Sequence, residues 1–298
     1  MREELLPIPE ELLRKEAESV CARYRVSVEE ALAALTEAFA AAPEVARRVR
    51  QRHGREDVSR WRDFREVVRR CRKSIYYGLR RYYARCGEVE RLVEEFGQEA
   101  AGPAEPRRME ELRLALLGAH KSSSERLPHY AEFYERFFAL AGSPATLLDV
   151  GCGMHPLSYP FTGRGSATGL YVAFDRDPRA IRAVEAYAWV VGKGRLVGVR
   201  GGLSDAGWTQ GLPGPAVWDM VLMLKVVPVL SRLDRAAVAR LAAVPGRSVL
   251  VTGSAQAMTR RQSIEARERT VLKAFIAQTG RRVAGEFRAG DEFGYLLA

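Results

Sequence analysis

Cysteine is scarce in this chain of 298 residues, and its four cysteines stand far apart, at positions 21, 71, 86 and 152. They form no C-x-x-C pair and have no group of histidines beside them, which argues against a zinc site or a disulfide framework. We therefore predict reduced thiols, as in cytoplasmic proteins, and no bound metal.

Long apolar runs are missing as well. Hydrophobic residues make up 47% of the chain, enough for a core, but no run approaches the ~20 residues that a membrane span requires. The first residues, Met1 to Pro7, do not have the basic-then-apolar order of a secretory signal. We expect a monomeric cytoplasmic protein without membrane contact, formed by one large domain or by a domain and a smaller appendage.

Acidic residues are too few to balance the bases, and the net charge is +10. The excess lies mainly in residues 47–85, where fifteen Lys and Arg residues accompany four acids and six interleaved aromatic residues. Arginine-rich surfaces suit phosphate backbones, because guanidinium groups bind phosphate in a bidentate manner and release counterions. We favour a nucleic-acid partner; the alternative is a solvated helix face whose aromatic side chains pack inward.

Residues 1–117 predict an all-helical, basic domain. The segment Ser27-Val-Glu-Glu30 fits a capping box, and apolar residues recur behind it at helical spacing. Further helices are predicted after Pro43, from about 57 to 85 with Gly87 as a stop, and from 107 to 117. Residues 98–106 (QEAAGPAEP) predict a loop or linker.

Residues 118–298 predict an α/β, Rossmann-like domain, because strand and helix patterns alternate from about Thr146 onward. The last two strands are joined by only three residues, which is too short for a parallel crossover, so this pair should be antiparallel. Helices are predicted at 178–191, 233–243 and 259–279. The seven predicted strands are 146–150, 169–174, 195–199, 217–224, 247–252, 282–288 and 292–297.

The most informative segment is Thr146-Leu-Leu-Asp-Val-Gly-Cys-Gly-Met-His-Pro-Leu157. A buried strand ends on Asp149, and Gly151 and Gly153 open a turn where the backbone can approach a ligand closely. Pro156 holds the place of the third glycine of a dinucleotide-binding fingerprint. The pattern D-x-G-x-G instead resembles motif I of S-adenosylmethionine-dependent methyltransferases, whose seven-stranded sheet also ends on an antiparallel strand. The resemblance implies S-adenosylmethionine as cofactor, held near Asp149, Gly151, Cys152 and Gly153.

Two further positions are candidates for cofactor contact. Asp175 ends the second strand, where a carboxylate typically accepts hydrogen bonds from ribose hydroxyls. It could instead cap the helix that begins near Pro178, a role that Asp177 fits better. The loop after the third strand has glycine where an acid to the adenine is usual, and Ser204 or Asp205 is the candidate substitute.

The fourth strand ends at Leu224, followed by Lys225, in the region where a doubly wound sheet meets its ligands. The alternative for Lys225 is a strand-end lysine that merely reaches solvent. The chain has no (Asp/Asn)-Pro-Pro-aromatic motif for amino-group methylation and no cysteine nucleophile here, because Cys152 lies in the cofactor loop and is interpreted as packing. An acceptor that is already nucleophilic, such as a purine ring nitrogen, would only need alignment and exclusion of water.

Three motifs in the same order extend the resemblance: His120-Lys-Ser-Ser-Ser-Glu-Arg-Leu127, Asp149-Val-Gly-Cys-Gly-Met-His-Pro-Leu157 and Leu224-Lys-Val-Val-Pro-Val-Leu230. Together they resemble the aminoglycoside-resistance 16S rRNA methyltransferases, which modify N7 of guanine 1405 in the decoding site. The resemblance implies methyl transfer to that guanine within the 30S ribosomal subunit, and docking on the subunit through the basic helical domain.

The same resemblance implies roles for individual residues. Arg126 would hold the cofactor carboxylate; its alternative is a surface arginine paired with Glu125 or Glu132. Lys225 and Arg261 would lie beside the flipped base. The candidates for phosphate contact are Arg69, Arg70, Arg72 and Lys73.

Some positions depart from that family. His155 replaces an asparagine, Gly201 replaces an acid, and the loop at 254–261 keeps only Arg261 as a clear match. Alternatives therefore stay open: another nucleotide such as the neighbouring adenine 1408, a small-molecule substrate, or a non-catalytic protein that binds the 30S subunit.

Overall fold

The computed structural model describes residues 7–24, 28–78, 86–103, 105–203, 207–257 and 260–298. The chain forms two compact units, Met1–Glu88 and Val89–Ala298. The predicted limit of the docking domain, after residue 117, follows the end of the helix predicted at 107–117, and the docking role of residues 1–117 stays a prediction. Helices upstream of that limit belong to the second compact unit: Phe96 packs against Tyr187, with ring centroids 6.3 Å apart, and Arg113 Nη1 donates to the Leu157 carbonyl at 2.7 Å.

The first unit is helical, as predicted. Its described helices are α1 (Glu10–Tyr24), α2 (Val28–Ala40), α3 (Pro43–Arg52) and α4 (Arg62–Gly78). One side of each helix contributes apolar residues to a common core. Burying a Val, Leu or Phe side chain fully contributes about 1.5–3 kcal/mol to the stability of the fold. Its core includes Leu13, Ala17, Val20, Leu35, Phe39, Val49, Phe64 and Val67.

Several helix boundaries differ from the sequence prediction. The basic helix begins at Arg62 rather than near 57, because a 3-10 turn at Val58–Arg60 precedes it and buries Val58. Residues 79–85 and Ser27 lie outside the described residues. Gly87 was wrong as a stop, since it lies within α5 (Cys86–Ala101), and the predicted loop at 98–106 begins only after Ala101.

The second unit contains the predicted seven-stranded sheet. Its strands are β1 (Thr146–Val150), β2 (Leu170–Asp175), β3 (Leu196–Arg200), β4 (Trp218–Leu224), β5 (Gly246–Ser254), β8 (Val283–Ala289) and β9 (Glu292–Leu297). The spatial order is β3-β2-β1-β4-β5-β9-β8, and β9 runs antiparallel to both of its neighbours. This confirms the α/β, Rossmann-like fold. The strand order reverses between β1 and β4, which is where ligands bind in such sheets.

Helices cover this sheet, and their bounds confirm most of the prediction. They are α6 (Pro106–Ala119), α7 (Lys121–Arg126), α8 (Tyr130–Ala141), α9 (Pro178–Val191), α10 (Val226–Leu230), α11 (Arg235–Ala242) and α12 (Glu265–Thr279). Strands β1, β2 and β4 are buried almost throughout, as in parallel sheets covered on both faces. None of the helices in the described ranges could cross a membrane.

The helix predicted at 259–279 was wrong in its first turn. The chain instead forms a small antiparallel hairpin, β6 (Gln256–Ala257) and β7 (Arg260–Ser263), and α12 begins at Glu265. The hairpin is tied to the main sheet through the backbone. Ile264 N donates to Ala255 O at 2.9 Å, and Ala255 N donates to Asp291 O at 2.7 Å. These bonds satisfy backbone groups of the residues that flank the hairpin.

Candidate active site

The turn after β1 has the geometry that its glycines predicted. Gly151 and Gly153 have φ of 66° and 51°, in the left-handed region. A Cβ on Gly151 would lie 2.6 Å from Val226 Cγ2, and one on Gly153 would lie 2.6 Å from His120 Cε1. Side chains are therefore excluded at both positions, so that the backbone is presented at the C-terminal edge of the sheet.

Asp175 fixes this turn from the neighbouring strand. Its Oδ2 accepts from Gly153 N and its Oδ1 accepts from Asp177 N, both at 2.8 Å. Burial raises the pKa of Asp175, against the effect of these two backbone hydrogen bonds. The helix cap is Asp177, whose Oδ1 accepts from Arg179 N at 2.9 Å. The cap alternative for Asp175 is therefore wrong, and its carboxylate lies beside the glycine turn.

Asp149 lies under the turn in a buried polar network. Its Oδ2 accepts from the Tyr171 hydroxyl at 2.7 Å and lies 3.0 Å from His155 Nδ1. His155 Nε2 in turn lies 3.1 Å from the Tyr134 hydroxyl. The other oxygen, Oδ1, is buried and has no hydrogen-bond partner among the described residues. His155, noted in the sequence only as a departure, thus holds the aspartate of the motif.

Arg126 is buried, and its partner is neither of the two acids considered from the sequence. Its Nε donates to Oε2 of Glu292 at 2.5 Å, and its Nη2 donates to Oε1 at 3.1 Å. The side chains are 5% and 2% exposed. Glu125 pairs with Lys225 and Glu132 with Arg136 instead. Glu292 was missed, although an acid at the head of an otherwise apolar strand was a usable signal.

Lys225 is turned inward, so the alternative that it merely reaches solvent is wrong. Its side chain is 14% exposed, and Nζ donates to Oε2 of Glu125 at 3.0 Å and lies 3.6 Å from Oε2 of Glu292. Among the described residues it is the one non-glycine residue with positive φ, at 61°. Backbone strain of this kind is typical of functional sites. Thr252 holds the strained backbone, since its Oγ1 and O accept from Lys225 N at 3.0 and 3.2 Å.

The electrostatics of this cluster keep Glu292 and Arg126 ionised. Burial would raise the pKa of Glu292, but the charges of Arg126 and Lys225 and a hydrogen bond from Thr252 outweigh it and lower the pKa to about 2. The pairing with Glu292 likewise raises the pKa of Arg126 in spite of burial. His120 behaves differently, because burial lowers its pKa to about 4 and leaves the ring neutral at pH 7.

Three other predicted positions occupy the same edge of the sheet or lie outside the described residues. Cys152 is buried, and burial raises the pKa of its thiol well above the ordinary value, so it is a poor nucleophile. Leu224 is buried at the end of β4. Ser204 falls outside the described residues. At Gly201 a Cβ would lie 2.7 Å from the Phe174 ring, which explains why no acid stands there.

The residues predicted to contact phosphate differ in their exposure and in their partners within the protein. Arg69 pairs with Glu66, and Arg72 Nη2 contacts Glu16 at 3.2 Å and Ser19 Oγ at 3.1 Å. Arg70 is exposed, with no ion-pair partner in the described part of the chain. Lys73 lies on α4 and Arg261 on β7, and the described features of both are confined to the backbone.

Relatives of known name match part of the chain. It is 29% identical over 152 residues to the 16S rRNA (guanine(1405)-N(7))-methyltransferase of Proteus mirabilis, covering 50% of this chain and 51% of that protein. It is 38% identical over 129 residues to the enzyme of the same name from Micromonospora echinospora, covering 42% and 44%. The chain thus spans about half the length of the curated relatives it matches.

Solved structures share the fold over a larger part of the chain. The 16S rRNA methyltransferase RmtF, in complex with S-adenosyl-L-homocysteine, superposes with a TM-score of 0.61 at 20% identity and covers 89% of this chain and 96% of its own. The 16S rRNA methylase RmtB gives a TM-score of 0.58 at 17% identity, covering 96% and 97%. A family model described as ribosomal RNA methyltransferase (FmrO) matches residues 37–285. Because this match takes in most of the chain, the protein belongs to the ribosomal RNA methyltransferase (FmrO) family.

Proposed function

We propose that this protein transfers a methyl group from S-adenosylmethionine to N7 of guanine 1405 of 16S rRNA in the 30S subunit, and so confers aminoglycoside resistance. It would act as a monomer in the cytoplasm. The observation that carries the proposal is the convergence of the glycine turn, Asp175, Arg126 and Lys225 at one edge of a methyltransferase sheet. The names of the relatives support the choice of guanine and of position.

The residues at this edge fit the proposed cofactor. The two glycines leave a cradle that a Cβ would fill. The carboxylate of Asp175 suits ribose hydroxyls. Oδ1 of Asp149, which has no partner among the described residues, suits a donor such as the ammonium of an amino acid. Arg126 suits the carboxylate, because a guanidinium can bind two carboxylates on different edges. When bound, S-adenosylmethionine supplies the activated methyl group.

The chemistry required of the protein is alignment rather than proton transfer. Guanine N7 has a free lone pair and loses no proton on attack, so no general base is needed. Consistent with this, burial lowers the pKa of His120 to about 4 and raises the pKa of the Cys152 thiol well above the ordinary value. Lys225, together with Arg261, would hold the flipped guanine in line with the methyl group and exclude water.

Affinity for the subunit would come from the first unit. Along α4 the buried face carries Phe64, Val67 and Cys71, and the opposite face is cationic. Arg62, Arg65 and Arg70 on that face are exposed, with no ion-pair partner among the described residues. Free guanidinium groups at helical spacing suit a phosphate backbone and make binding dependent on salt.

The experiment is incubation of purified 30S subunits with the protein and methyl-labelled cofactor, followed by mapping of the modified nucleotide. Label at N7 of guanine 1405 is the expected result, and Lys225→Ala should reduce it strongly. A matched control is Lys193→Ala, which changes an exposed lysine that lies over the Trp189 ring. Label at adenine 1408 would show that the target nucleotide is that adenine and not guanine 1405. Binding of cofactor without any label in 16S rRNA would contradict the proposed activity itself.

A further inference from the structure

Glu292 is a buried carboxylate that contacts two cations at once. One side chain accepts from Arg126 Nε and Nη2, accepts from Thr252 Oγ1 at 2.5 Å, and lies 3.6 Å from Lys225 Nζ. It stands at the head of β9, opposite the end of β5, in the register Ser254↔Glu292. The rest of that strand is buried and apolar. Keeping a carboxylate ionised here carries a large desolvation cost, and apolar residues can often replace a buried ion pair without loss of stability. Stability alone is therefore a weak reason for a charged pair at this place.

The geometry of the pair leaves part of Arg126 available. The hydrogen bonds to Glu292 use Nε and Nη2, which form one edge of the guanidinium. The third nitrogen, Nη1, has no acceptor among the described residues. The ring of Phe133 lies across one face of the guanidinium, with Arg126 Cζ 5.7 Å from the centroid of that ring. The edge formed by Nη1 and Nη2 therefore keeps a fixed direction and can still bind a second carboxylate in a bidentate manner.

We infer that Glu292 is the positioning residue of the cofactor site: it orients Arg126 so that the outer edge of the guanidinium receives the amino-acid end of the cofactor. The inference rests on the proposed function, in which Arg126 binds the cofactor carboxylate. Glu292 itself does not touch the cofactor in this arrangement. Its Oε2 also lies near Lys225, so the same carboxylate sets the position of the lysine proposed to lie beside the base.

The test compares two ligands that differ at the amino-acid end. S-adenosylhomocysteine carries the carboxylate and the ammonium, whereas 5′-methylthioadenosine has neither, and calorimetry gives the affinity of each for the full chain. In Glu292→Gln the affinity for S-adenosylhomocysteine should fall by about tenfold or more, the effect of one well-oriented charged hydrogen bond. The affinity for 5′-methylthioadenosine should change by less than about twofold. If Glu292 had a merely structural role, the substitution would lower the affinity for both ligands by the same factor.

Control variants separate orientation from general damage. Glu286→Gln changes an exposed acid on the adjacent strand β8 and should leave both affinities unchanged. In the background of Arg126→Met, adding Glu292→Gln should cause no further loss, because the residue through which Glu292 acts is gone. Glu292→Asp keeps the charge but withdraws the carboxylate by one methylene, and it should lower the ratio of the two affinities even if Glu292→Gln does not fold.

The outcomes distinguish this inference from the function on which it rests. If the unaltered protein prefers S-adenosylhomocysteine, and Glu292→Gln and Glu292→Asp both keep that preference, the role of Glu292 is overturned and the proposed function stands. If the unaltered protein binds neither ligand, the proposed use of S-adenosylmethionine is overturned and the role of Glu292 with it. An equal loss for both ligands would reduce Glu292 to a structural contact.

Discussion

Two arginines of the first unit and one of the second show two opposite surroundings for the same side chain. In the first unit Arg47 and Arg69 are mostly exposed and pair with acids one helical turn away. Such exposed pairs are worth about 0–1 kcal/mol and weaken in salt. In the second unit Arg126 is buried with Glu292. The same residue type therefore offers exchangeable charge at Arg47 and Arg69 and fixed geometry at Arg126.

The sharpest test of this contrast is to remove the buried arginine. Arg126→Met leaves Glu292 buried without its main partner, and the free energy of unfolding should fall by about 3–5 kcal/mol. Arg47→Ala, which removes an exposed guanidinium, should change it by less than about 0.5 kcal/mol. Urea unfolding of both variants measures the difference. Similar losses in the two would mean that the buried pair is no more important than a surface one.

Acid should affect the two regions unequally. The pKa of Glu292 is lowered from 4.5 to about 2. A carboxyl group with a lowered pKa contributes stability above its unfolded pKa and loses that contribution as the pH falls toward the folded value. Between about pH 4.5 and 2 we expect a loss on the order of 3 kcal/mol from this group. Unfolding curves at several pH values, with Glu292→Gln as the comparison, test this; a variant with the same acid sensitivity would contradict it.

The glycine turn allows a test that leaves charge unchanged. Gly153→Ala would place a Cβ 2.6 Å from His120 Cε1 in a left-handed conformation, and should cost about 2 kcal/mol and weaken S-adenosylhomocysteine binding. Gly163→Ala shares the positive φ, at 66°, but has open space around its Cβ position. It should cost about 1 kcal/mol and leave binding unchanged. Thermal unfolding and calorimetry report the two effects separately.

The exposed arginines should affect binding and hardly affect stability. Arg65→Ala and Arg70→Ala should change the free energy of unfolding by less than about 0.5 kcal/mol. Each should weaken binding to 30S subunits and reduce the salt dependence of the binding constant by about one unit of slope, if it contacts a phosphate. Arg72→Ala is the matched variant on the same helix, because Arg72 already contacts Glu16. Arg72→Ala should change the salt slope less than the other two, and unchanged slopes for Arg65→Ala and Arg70→Ala would place the docking surface elsewhere.

Local patterns were enough to predict the sheet. The seven strands were placed to within about two residues, because apolar runs bounded by glycine and proline define a buried parallel strand. The glycine turn followed from the spacing of Gly151 and Gly153, whereas the hydrogen bond from Gly153 N to Asp175 was found only in the structure. These features depend on residues that are close in sequence or on a common fold.

Contacts between distant residues were not predictable in this way. Glu292 is far from Arg126 in sequence, and no periodicity links them. The sequence therefore offered only near neighbours as partners. The hairpin β6–β7 was missed because its two strands are short and carry no alternating apolar pattern. The roles of Arg261 and Ser204 stay predictions.

Arg126 and Glu292 are 166 positions apart, so the cluster they form closes a very long loop. The ribosome adds β9 after every other strand of the sheet. Until then, the growing chain has the glycine turn and Arg126 but lacks Glu292, which orients Arg126. Competence to bind ligand would thus arrive late and abruptly during synthesis, when the final hairpin docks.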